Sequence, residues 1–74
     1  MDKFVERVRG MIINQSREKA VSKDLNPEKI SEIEIFINNN PIEIKQNKKH
    51  FTFIEYVSCC GITEKINVVV YLDP

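Results

Sequence analysis

The residues with the most chemical potential are the adjacent thiols Cys59 and Cys60 and the single histidine, His50. Structural zinc takes four ligands of the Cys and His type, with a spacer between paired cysteines; this set offers three ligands and no spacer. A disulfide between sequence neighbours would join Cα atoms only about 3.8 Å apart, below the usual disulfide range. Two reduced thiols, at least one of them in the core, are therefore expected. His50 follows Lys48 and Lys49 and reads as part of a solvated turn.

The other constellations are equally thin. Nucleophilic catalysis needs a base held beside Ser16, Ser58 or a thiol by a third group, and no such set follows from the order of residues. Glu32 and Glu34 alternate along one strand face, as on an ordinary solvated edge. The two glycines, Gly10 and Gly61, lie too far apart for a phosphate-cradling loop. The sequence thus points to no catalytic residue, no metal, no cofactor and no enzyme.

These side chains sit on a chain of 74 residues, enough for one core and one domain. With 42% hydrophobic and 30% charged residues, the composition is that of a globular chain that folds without disulfides. Eleven basic and eleven acidic residues cancel, which removes the broad positive field of a phosphate binder and favours self-association. The lack of a long apolar segment and of a signal-like start leads to the expectation of a cytoplasmic protein with no membrane contact.

The domain divides into a helical segment, residues 1–25, and a sheet region, residues 26–74. Phe4, Val5, Val8, Met11 and Ile12 fall within about 120° of a helical wheel, and Asp2 is placed to cap the start. Gln15 and Lys19 fall on the same stripe, so the helix is expected to stop or turn another face near Asn14, with a weaker stretch over residues 16–23. Asp24-Leu25-Asn26-Pro27 punctuates the chain, and a short helix capped by Asn26 with Pro27 at its first position stays open. Residues 32–46 read as a β-hairpin: alternation over 32–37, asparagines that tolerate a left-handed backbone at 38–40, and alternation again from Ile42.

Residues 50–60 support two readings. Thr52 and Glu55 make a capping box and Gly61 is placed to end a helix, whereas Phe51, Thr52, Phe53, Ile54, Tyr56 and Val57 all favour strand. The box and the glycine tip the expectation to helix. The run from Ile66 to Leu72 is apolar on both faces, which marks a central strand covered on both sides.

In this order, the alternating stretch 32–44, the capped segment 52–62 and the strand 66–72 resemble a ubiquitin-like β-grasp of the prokaryotic multiubiquitin kind over about 40 of the 74 residues. The resemblance implies an α+β fold of hairpin, helix and central strand, used for protein recognition. The chain departs from it in ending Tyr71-Leu72-Asp73-Pro74 rather than in a conjugating Gly-Gly, and in the helix that precedes the hairpin. The strand reading of 50–60 gives instead a helix packed on a four-stranded antiparallel meander.

Ile33, Ile35, Ile37, Ile42 and Ile44 line up with Ile66, Val68, Val70 and Leu72 as one core face. Phe36, Val69 and Tyr71 fall opposite and need a cover, either the N-terminal helix with Phe4, Val8 and Met11 or another chain. The expected function is a small protein-interaction or regulatory module, a homodimer among the options, with Phe36, Val69, Tyr71, Phe4 and Val8 as contact residues. The alternatives are a single-stranded nucleic-acid binder using Lys45, Lys48, Lys49 and Phe51, with Phe53 as a further stacking platform, and a phage-encoded or antitoxin-like inhibitor. Charge balance disfavours the nucleic-acid alternative.

Overall fold

The first helix runs further than its apolar stripe suggests. In the computed structural model, which describes residues 3–41, 43–45 and 47–74 and leaves aside the side chains of residues 3–5 and of Cys59, helix α1 spans Lys3–Ser22 without a break. Asp2 and its expected cap lie outside the described residues. Val8, Ile12, Ser16 and Ala20, four residues apart, form the buried line of α1. Ser16 is compatible with that line because its hydroxyl donates 2.7 Å to the Ile12 carbonyl, so no polar atom is left unsatisfied. Lys19 stays on the stripe by laying its ammonium 5.3 Å from the Phe53 ring centroid, with its stem over apolar surface.

The end of α1 is a Schellman turn built without glycine. The Leu25 N–H donates to Ala20 O at 2.8 Å and the Asp24 N–H to Val21 O at 3.1 Å, with Asp24 left-handed at φ 58°. Asn26 then caps a single 3-10 turn, Pro27–Lys29, by accepting the Glu28 N–H at 2.9 Å. The open reading of Asn26 and Pro27 is the one found, at its shortest length.

Three strands follow: β1 at Ile30–Ile37, β2 at Lys49–Cys59 and β3 at Ile62–Leu72. They form one antiparallel sheet in the order β1-β3-β2. The class is α+β, but the arrangement is neither hairpin, helix and strand nor a four-stranded meander. Residues 52–59, expected as a helix, are strand. Gly61, read as a helix terminator, is at φ 81° next to Cys60 at φ 57°, the two left-handed positions of a type I′ turn joining β2 to β3 between Cys59 and Ile62. The capping box lost to this tertiary pairing, which buries Phe51 and Phe53 partly against the core.

The hairpin expected over 32–46 is also replaced. Its first strand is present, but residues 43–45 are not strand, and Ile42 lies outside the described residues. The place beside β1 is taken by β3, in the register Ile33/Val70, Ile35/Val68 and Ile37/Ile66. Asn38, left-handed at φ 57°, finishes β1 by donating its N–H to Lys65 O at 2.7 Å and accepting the Lys65 N–H on its side-chain oxygen at 3.0 Å. The chain then leaves the plane of the sheet.

β1 and β2 both run antiparallel to β3, so they are parallel to each other and need a crossover. The described residues between Ile37 and Lys49 belong to it. The helix covers one face: Val8 and Ile12 cluster with Ile66, Val68 and Val70, with Ile33, Ile35, Phe51 and Phe53 packed around them. Each such fully buried aliphatic side chain contributes about 2 kcal/mol. The crossover covers the other face.

Two substitutions test this picture by urea denaturation. Ile12→Ala, at the centre of the helix–sheet contact, is expected to cost about 3 kcal/mol. Asp24→Gly is expected to add about 0.5–1 kcal/mol by relieving the left-handed position at the end of α1.

Candidate functional site

Val69 and Tyr71 are fully buried within the chain itself, on the face away from the helix. Their side chains lie on the face opposite Val68 and Val70, and a strap made of residues 39–41, 43–45 and 47–48 crosses that face. Two polar contacts pin the strap. The Asn67 side chain, nearly buried, donates to Asn39 O at 2.8 Å, and the Lys45 backbone N–H donates to the Tyr71 hydroxyl at 3.2 Å. That hydroxyl in turn donates to Glu34 at 2.9 Å, so a buried phenol is satisfied on both sides.

Around the ring the strap is electrostatic. The ammonium groups of Lys45 and Lys48 lie 5.3 Å and 5.7 Å from the Tyr71 ring centroid, and His50 packs against the same ring at 5.9 Å. Lys45 also bridges to Glu32 at 2.8 Å. The hydrogen bond from Lys45 holds the Glu32 carboxyl below the usual carboxylate range and, reciprocally, raises the Lys45 ammonium. For Tyr71 the Lys45 N–H favours the phenolate, but burial and the Glu34 carboxylate together outweigh it and raise the phenol.

The expected site residues therefore separate. Val8, Val69 and Tyr71 are interior, Phe36 is half-buried, and the Phe4 side chain lies outside the described residues. Lys45 and Lys48 are bent over Tyr71 on the strapped face. Lys49 and Phe51, in register with Leu72 and Val70, belong to the helix face, where Phe51 stacks on Phe53 beneath Lys23. The residues expected to hold a nucleic acid thus point to opposite sides of the sheet. Cys60 is exposed at the β2–β3 turn, and the Cys59 side chain is outside the described residues. No group of three or more His, Cys, Asp or Glu among the described residues is placed to hold a metal ion, and no described helix is long and apolar enough to cross a membrane.

What stays outward is a set that the helix reading of 50–60 concealed. On the strapped face of β2, beyond the strap, Ile54 is 47% and Tyr56 66% exposed, and Ile62 near the turn is 61% exposed. From Tyr56/Lys65 to Cys59/Ile62, β2 and β3 pair beyond the end of β1 and project as a two-stranded arm. Taken as a strand, residues 50–60 place Thr52, Ile54, Tyr56 and Ser58 on one face, which is the signal that identifies these residues.

The backbone of β2 points the same way. The tight turn makes Cys59/Ile62 a hydrogen-bonded pair, so the odd residues of β2 exchange bonds with β3 and the even ones direct N–H and C=O groups away from the sheet. At Ile54 and Tyr56 a backbone edge unpaired among the described residues coincides with exposed apolar side chains, and exposed Thr52 extends the same edge. Edge strands are usually blunted by charge, proline or bulges, and residues 50–58 of β2 carry one charged residue, Glu55, and no proline. No family model, curated protein or solved structure matches the chain.

The pinning of the strap is testable. Tyr71→Phe leaves the Lys45 N–H without its acceptor and is expected to cost about 1–2 kcal/mol, with faster amide exchange at Lys45. The lowered Glu32 carboxyl adds stability that is complete above the usual carboxylate range and lost as pH falls through its folded value. The raised Lys45 and Tyr71 add stability that is complete below their usual ranges and lost as pH climbs through their folded values. Amide protection of the strap, corrected for intrinsic exchange, should be level through neutral pH and decline at both extremes.

Proposed function

We propose that this chain is a protein-interaction module that receives an extended segment of its partner along the outer edge of β2. The observation that carries this reading is the coincidence, at Ile54 and Tyr56, of outward backbone donors and acceptors with exposed apolar side chains, on an edge that continues through Thr52. Strand addition needs both: main-chain hydrogen bonds supply affinity, and alternate side chains supply specificity. The strap supports the same assignment, because with Val69 and Tyr71 sealed by the chain's own residues the accessible apolar surface of that face is displaced to Ile54 and Tyr56.

Placing a photo-cross-linking phenylalanine analogue at Tyr56, with Glu18 on the exposed side of α1 as control, tests the reading in cells. Irradiation is expected to join a second polypeptide at position 56 and not at position 18. Equal yields at both positions, no adduct at 56, or an adduct removed by nuclease would overturn it.

A further inference from the structure

Two charges on β2 have no ionic partner or side-chain hydrogen bond among the described residues: Lys49, exposed at the start of the strand, and Glu55, half-buried opposite Ile66. They belong to the same face, six residues and about 20 Å apart. A carboxylate beside aliphatic side chains on a strand edge loses hydration without compensation, which is unfavourable unless something pairs with it. An antiparallel copy of the same strand brings a lysine to that place.

We infer that the occupant of the β2 edge is a second copy of this chain, paired β2 to β2 antiparallel about a two-fold axis through Thr52; the inference rests on the edge assignment above. In this register Lys49 faces the partner's Glu55 and Glu55 faces the partner's Lys49, so both orphan charges are matched at once. Phe51 meets the partner's Phe53 between them, an aromatic cross-strand pair. The outward-pointing residues Thr52 and the partner's Thr52, and His50 and the partner's Ile54, fall opposite each other, as main-chain pairing requires.

Neighbouring registers do worse. An axis through Glu55 sets two carboxylates against each other, while axes through Phe53 or Ile54 leave both charges opposite uncharged residues. The axis is normal to the sheet, so the product is one six-stranded sheet with both helices on one face and both straps on the other. The zero net charge of the chain removes the long-range repulsion that would oppose the encounter.

Sedimentation equilibrium of the full chain is expected to give twice the mass of one polypeptide. Ile54→Pro removes an N–H that no bond within the sheet uses, at an edge position where proline is tolerated, and should yield a folded monomer by circular dichroism. Lys49→Glu and Glu55→Lys separately place like charges together at two symmetric sites, and each should raise the dissociation constant about tenfold. The double variant exchanges the charges and should return it to within about threefold of wild type, a rescue that unfolding does not produce. A wild type that stays monomeric at its highest soluble concentration, or single substitutions that the double does not rescue, would overturn the two-fold register. A cross-link at position 56 to a different polypeptide would then still support the β2 edge as the docking site, whereas no cross-link would remove that reading as well.

Discussion

Burial of the run Ile66–Leu72 on both of its faces is the constraint from which the rest of the structure follows. A strand with Ile66, Val68 and Val70 on one side and Val69 and Tyr71 on the other is stable only with two covers and two neighbours. The chain supplies all four from a single helix, two strands and one crossover. The helix takes the purely aliphatic side, where non-directional packing suffices. The crossover takes the side that carries Asn67 and Tyr71, whose polar atoms need specific partners, and Asn39 and Lys45 provide them through the backbone.

That division explains why the strap is irregular although its sequence alternates. A segment from Asn38 to Lys48 that lay beside β1 as a hairpin would occupy the place β3 needs and leave Tyr71 and Val69 open to water. Crossing above the sheet forgoes a ladder of backbone bonds but seals a tyrosine ring, satisfies its hydroxyl and neutralises Glu32. The balance favours the crossover because it buries Val69 and Tyr71 and adds the Lys45 N–H to a phenol that already donates to Glu34 on β1.

The legibility of the sequence followed the range of the interactions. β3 was readable from a run apolar on both faces but for Asn67, and β1 from its alternating isoleucines, since burial alone dictates both. The stripe of α1 was readable as far as Ile12; beyond it, Ser16 and Lys19 looked polar, and only the Ile12 carbonyl and the Phe53 ring show how they are accommodated. Residues 50–60 were misread because Thr52, Glu55 and Gly61 carry a valid local helix signal, overridden by pairing with a strand that comes later in the chain. The exposed residues Ile54 and Tyr56 are hidden by the same local signal, and so is the placement of Lys49 and Glu55 together on the helix face of β2. The seal over Val69 and Tyr71 could not be seen from local pattern at all, because it depends on where a loop travels.

The order of elements has a consequence for biosynthesis. The sheet's central member is the last of the three strands along the chain, so on the ribosome β1 and β2 are made before either has anything to pair with. The nascent chain therefore holds two isoleucine- and phenylalanine-rich segments in waiting, and assembly begins in earnest only when the valine run emerges. Vulnerability to misassociation is concentrated in the interval before that run is free to pair.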